Sequence, residues 1–229
     1  MQFDPLPNPD AAESLAHITQ DYQNDPEAAL LTVEADVCAL ERAIAAAQDR
    51  AAQVLEGVQR AAAVSYGGAV SAADAMPVSR TLFRERVDNA QFALLCRAVA
   101  KIEEGHGMLR ESLLEYAHVG EDLRACYITA FSLKRRVYAV KRAARNASEA
   151  ERLTAYAARL RKARGVCETL EADLQARRER VGGLCFDTLK RFADALRVRA
   201  DLEGDGERCD ASAVRSLCVE LQQALQSFL

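Results

Sequence analysis

The chain has 229 residues, of which 30 are Lys or Arg and 34 are Asp or Glu, so its formal net charge is −4. Half of the residues are hydrophobic, only 6% are aromatic and there is no tryptophan, which excludes wholesale disorder and suits helix-on-helix packing better than a sheet. No run approaches the ~18 apolar residues that a membrane-spanning helix needs, so any membrane contact is expected to be peripheral.

Residues 1–25 are acidic and Pro-rich, and are expected to form a flexible tail. They lack the basic start and apolar run of a signal peptide, which points to a cytoplasmic protein. Asp25-Pro26-Glu27 then reads as a helix start: Asp caps, Pro occupies the first helical position and Glu sits in the first turn. Leu30, Leu31, Val37, Leu40, Ile44, Val54 and Val58 follow at helical spacing. This first helix is expected over 26–64, fading at "SYGGAVSAADAMPVS" where Gly67, Gly68 and Pro77 punctuate the chain.

A second helix is expected over 80–145, with an apolar stripe through Leu94, Leu95, Ala98, Ile102, Leu109, Leu113, Tyr116, Leu123, Tyr127, Phe131 and Tyr138. Gly105, Gly107 and Gly120 interrupt it, each costing roughly 1 kcal/mol relative to Ala, and mark either a kink or a close helix crossing. In "NASEAE" Ser148 reads as the cap of a third helix, with Glu151 completing a capping box and the turn at Asn146-Ala147. That helix is expected over 148–202, ending at "EGDGERCD", and a short one over 211–228 closes the chain. Helices of such length need partners along their whole stripe. The expected fold is therefore all-α: an elongated antiparallel bundle of three long helices spanning 26–229, dimeric because two antiparallel helices bury only part of each stripe.

The seven cysteines contain no CxxC pair and are expected to act as small buried hydrophobes in a reducing compartment. Glu103, Glu104 and His106 imitate a metal cluster but lack any known ligand spacing, and neither Gly67-Gly68 nor the GHG at 105–107 has the setting of a phosphate loop. No Ser/His/Asp or Cys/His nucleophile stands out, so no enzyme, cofactor or metal is expected. Asn146-Ala147-Ser148, formally a glycosylation sequon, reads as turn and cap.

The unusual feature is charge. Ser132–Arg164 holds eleven Lys or Arg against Glu149 and Glu151 alone, whereas the rest of the chain is strongly acidic. If the helices fold back at Asn146, Lys134, Arg135, Arg136, Lys141, Arg142 and Arg145 share one tip with Arg159, Arg161, Lys162 and Arg164. A solvated face normally mixes both signs at i, i+4 spacing, so this one points to an anionic partner. Only Tyr138 and Tyr156 accompany it and the chain as a whole is acidic, so no nucleic acid is expected. A flat anionic membrane tolerates acidic surfaces elsewhere, and each nearby Lys or Arg adds about 1 kcal/mol.

The order of features resembles the C-terminal BAR domain of the sorting nexins, including the retromer-associated members. The likeness runs over roughly residues 30–229: "LLEYAHVGEDLRACYITAFSLKRRVYAVKRA" with its Tyr after paired leucines and its basic end, the tight hairpin, "CFDTLKRFADALRVRADLE" with Lys190-Arg191-Phe192, and the closing "LCVELQQALQSFL". The resemblance implies a crescent-shaped antiparallel homodimer or heterodimer that binds curved membrane and serves endosomal sorting and trafficking with coat or cargo proteins. It departs from the family in that residues 1–29 are too few for a phosphoinositide-binding PX domain. On this reading Leu109, Leu113 and Tyr116 are expected in the dimer interface. The alternative is a non-membrane helical scaffold or tether whose basic tip docks a protein partner.

Overall fold

A computed structural model describes residues 19–75, 89–189 and 211–229. Every element is helical and there is no strand among the described residues. We label the helices α1 (Pro26–Ala75), α2 (Asn89–Ala143), α3 (Ala147–Gly183) and α4 (Ala211–Gln226). A single π-helical segment, Leu184–Leu189, continues α3. The helices divide between two compact units, one of Met1–Asp49 with Val119–Asp173, the other of Arg50–His118 with Leu174–Leu229.

The large core positions follow a heptad, with small Ala62, Ala69 and Ala157 buried beside it. In the first unit α1 buries Leu30, Val33, Val37, Leu40, Ile44 and Ala47, and α2 buries Val119, Leu123, Cys126, Ala130, Leu133, Val137 and Val140. Facing them, α3 buries Leu153, Tyr156, Leu160, Ala163 and Cys167. In all three the steps alternate three and four, which is the seven-residue repeat of left-handed coiled-coil packing. The second unit carries the pattern on through Val54, Val58, Ala61, Ser65 and Ala72 of α1, and through Leu95, Ala98, Ile102, Leu109, Ser112 and Tyr116 of α2. Leu31, Leu94 and Tyr138, read from sequence as stripe members, are 56%, 47% and 41% exposed. Each lies one residue, about 100° of helical rotation, away from a buried heptad position.

At the start of the first unit Asp25 caps α1 as expected, its Oδ1 accepting from the Ala28 amide at 3.1 Å. The expected flexible tail needs correction here. Residues 19–24 are helical, Asp25 N–H still donates to the Asp21 carbonyl, and Tyr22 is wholly buried. An amphipathic turn with one aromatic anchor has enough apolar surface to dock; residues 1–18 lie outside the described residues. The hairpin cap is also displaced. Asn146, not Ser148, caps α3: its Oδ1 accepts from Glu149 N–H and its Nδ2 donates to Glu149 Oε1, both at 2.9 Å. Asn serves this position as well as Ser, and Glu149 at the third helical residue reaches back to the Asn146 side chain and the Arg145 amide, where Glu151 was expected to reach back.

In the second unit α1 does not fade at residue 64 but runs to Ala75. The reason is close packing. A Cβ on Gly105 would lie 2.0 Å from Ser65 Oγ and 2.8 Å from the Ala61 carbonyl oxygen, and one on Gly68 would lie 2.8 Å from Ile102 Cγ1. The two glycines thus let α1 and α2 approach, and tertiary contact outweighs their weak helix propensity. Gly105 is the close crossing; Gly107 and Gly120 have nothing within 4 Å of a would-be Cβ.

Expected residues 80–88 of the second helix and 190–202 of the third, with the Lys190-Arg191-Phe192 element, lie outside the described residues. The π segment adds a residue to its turn, so burial shifts from Val181 and Leu184 to Cys185 and Leu189. α4 packs against this segment and buries Cys218, Leu221 and Leu225.

Candidate anion-binding hairpin

The basic cluster belongs to the first unit, on the α2–α3 hairpin. Residues 123–148 contain no Asp or Glu at all, so any acid that meets this length of α2 must come from another element. The structure supplies it from α1. Arg136 Nη1 donates to Asp36 Oδ2 at 2.8 Å. Arg159 grips Glu41 through Nε and Nη2 at 2.9 and 2.6 Å, and its Nη2 also reaches Cys38 Sγ at 3.3 Å. Arg152 lies 3.5 Å from Glu34, which also accepts from the Tyr156 hydroxyl at 2.9 Å.

These contacts have a heptad logic. Glu34 and Glu41 are seven residues apart on α1, as are Arg152 and Arg159 on α3, and the two helices run parallel, so the pairs form successive rungs. The Arg159 hydrogen bond holds the Glu41 carboxyl below its ordinary range, against a smaller opposing effect of burial. Because all these side chains are partly solvated, each ion pair contributes only ~0–1 kcal/mol and acts mainly to fix helix register. The sequence reading missed α1 as the counter-charge; the signal was there in the matched seven-residue spacings of acids and arginines.

Two further cations are committed near the turn and on the α2 side. Arg145 Nη2 donates to the Gln23 carbonyl, and the Arg145 amide donates to Glu149 Oε2 at 2.9 Å. The Tyr22 hydroxyl donates to the same Glu149 oxygen, and that bond, ahead of the amide's, keeps the Glu149 carboxyl below its usual range. Arg164 Nη2 donates to Tyr127 Oη at 2.7 Å and to Glu168 at 3.3 Å, with its guanidinium 4.8 Å from the Tyr127 ring centroid.

The ten residues expected to contact an anionic surface therefore split. Arg136, Arg145, Arg159 and Arg164 are engaged within the chain, and Lys162 lies in the field of Glu41. Lys134 is half-buried, with its ammonium 5.8 Å from the Tyr138 ring centroid. Among the described residues Arg135, Lys141, Arg142 and Arg161 have no hydrogen-bond or ion-pair partner, and Arg135, Arg142 and Arg161 are exposed.

The expected dimer-interface residues separate in the same way. Leu109 and Tyr116 are buried in the second unit's own core, at 0% and 2% exposure, and have no surface left to offer another chain. They occupy buried heptad positions of α2. Leu113 is half-buried and lines, with the 64% exposed Leu114, a groove of about 620 Å³ between α2 and α3.

Among the described residues no group of three or more His, Cys, Asp or Glu is placed to hold a metal ion, and no helix is long and apolar enough to cross a membrane. Six described cysteines are free, and burial pushes the thiols of Cys167, Cys185 and Cys218 up to about 11. Comparison with known proteins yields no match, whether to a family model, a curated protein or a solved structure.

Proposed function

We propose that this chain is a peripheral membrane protein of the BAR kind, which senses or stabilises curved anionic membrane through its basic hairpin. The observation that carries the reading is the set of exposed or half-exposed cations without partners among the described residues, Arg135, Lys141, Arg142 and Arg161, in and beside an acid-free stretch of helix. Each contributes about 1 kcal/mol near an anionic leaflet, and two linked tips multiply that affinity. Curvature preference, assembly as a homodimer or heterodimer with another BAR chain, and a role with coat or cargo proteins on endosomal membranes rest on the sorting-nexin resemblance. In such a dimer the second chain would meet Leu113 and Leu114, since Leu109 and Tyr116 are enclosed.

A second reading has its own observation. The heptad stripes of α1, α2 and α3 close on one another within a single chain, so no second copy is needed to bury them. That favours a monomeric helical scaffold or tether. Sedimentation velocity separates the two: a dimer stable to dilution supports the membrane dimer, and a monomer supports the scaffold.

The membrane test is co-sedimentation with small phosphatidylserine vesicles across a salt series. The R135E/K141E/R142E/R161E variant disturbs no internal pair among the described residues. Salt-sensitive binding that this variant loses is the expected result. No binding by the native chain would overturn membrane docking and leave the basic tip to a protein ligand.

A further inference from the structure

The pairing pattern is one-sided. α1 takes Arg136 on one flank of α2 and Arg152 and Arg159 on one flank of α3, so the side of the unit nearest α1 is electrically spent. Ile128, Arg135 and Arg142 of α2 are spaced seven apart, and lie on the helix face opposite the buried heptad of Cys126, Ala130, Leu133, Val137 and Val140. Tyr138 sits between the two arginines on the same flank. Ile128 is 59% exposed and Tyr138 41%, so two large apolar side chains stand in water among cations that have no acid beside them on their own helix.

We infer that the outward face of α2 from Ile128 to Arg142 is the docking face for an anionic lipid surface, with Ile128 and Tyr138 entering the headgroup layer and Arg135 and Arg142 holding phosphates. This inference rests on the membrane reading above and adds to it an orientation and an apolar component. Charge complementarity selects the face. α1 presents acids, and α3 has the exposed Glu151 one turn past the hairpin, whereas α2 has none between Asp122 and the turn. The residue types suit an interface. A tyrosine ring sits at the headgroup level with its hydroxyl wet, and arginines bury their stems while their heads stay at the phosphates. An acidic peptide would use the same cations but would give Ile128 no reason to be exposed.

The absence of tryptophan makes a direct test available. Single variants I128W, Y138W and L31W each carry one indole; Leu31 is the control, 56% exposed on α1. With phosphatidylserine vesicles, the expected result is a blue-shifted emission shielded from acrylamide at positions 128 and 138, and an unchanged spectrum at 31. The I128S variant should partition about tenfold more weakly at high salt, with L31S unchanged. Co-sedimentation with a spectral shift at 31 but not at 128 and 138 would overturn the orientation while leaving membrane docking intact. Co-sedimentation with no shift at any position would show purely electrostatic contact and overturn the apolar component. Failure of every variant and of the native chain to co-sediment would overturn the membrane reading itself.

Discussion

Two glycines two residues apart in α2 should respond oppositely to the same substitution. At Gly107 a Cβ meets nothing within 4 Å, so G107A gains helix propensity without crowding. That gain is about 1 kcal/mol, which for a chain of this size raises Tm by roughly 2–4 °C. At Gly105 the same Cβ would sit 2.0 Å from Ser65 Oγ, 2.8 Å from the Ala61 carbonyl oxygen and 3.0 Å from the Ser65 amide. The hydroxyl is movable; the two backbone atoms of α1 are not. Overpacking of this kind costs about 1–3 kcal/mol, with more to be expected where backbone must shift, so the propensity gain is outweighed and Tm should fall by a few degrees. Adding S65G to G105A removes the hydroxyl but leaves the Ala61 oxygen, so the rescue should be partial. The assay is circular dichroism at 222 nm during thermal melts, with urea midpoints and slopes to confirm that stability alone has changed. If G105A proved as stabilising as G107A, the close approach of α1 and α2 would be refuted, and with it the explanation for helix α1 continuing past residue 64.

Three further outcomes follow from the described contacts. N146A should lower the melting midpoint by roughly 2–4 °C while S148A leaves it unchanged, since Asn146 caps α3; the reverse order would restore Ser148 as the cap. At about pH 8 a thiol reagent should label the exposed Cys96 quickly, but Cys167, Cys185 and Cys218 only after urea unfolding, because their burial disfavours the thiolate. Glu41 is bound more tightly as carboxylate in the fold than in the unfolded chain, so its contribution is present at neutral pH and disappears as pH falls through the carboxylate range. Urea midpoints between neutral pH and about pH 3 should therefore fall less steeply for E41Q than for the native chain, and equal slopes would refute the pairing.

How much was legible depended on whether the governing interaction was local. Asp25-Pro26-Glu27 caps α1 as read, because a cap is decided by residues within one turn. The hairpin at Asn146 was legible for the same reason, though two local caps competed and Asn146 prevailed over Ser148. The helical stripe was legible as a three-four alternation, yet Leu31, Leu94 and Tyr138 were misplaced by one position because either neighbour fits a loose periodicity. Helix α1 was read as ending at the paired glycines, since propensity alone penalises them; only their fit against α2 turns that penalty into an advantage.

The charge cluster divides along the same line. Composition and order by themselves determined that the chain is helical, that the hairpin is basic and that residues 123–148 carry no acid, because these are properties of single segments. Which cations stay free was decided by tertiary structure. Asp36 and Glu41 lie 100 and 118 residues from Arg136 and Arg159, and their meeting depends on three heptads choosing a common register. The same packing encloses Leu109 and Tyr116 and leaves Ile128 and Tyr138 in water. An apolar stripe shows that a helix face will be covered; only the folded chain decides what covers it, since burial depends on the neighbour and not on the residue alone.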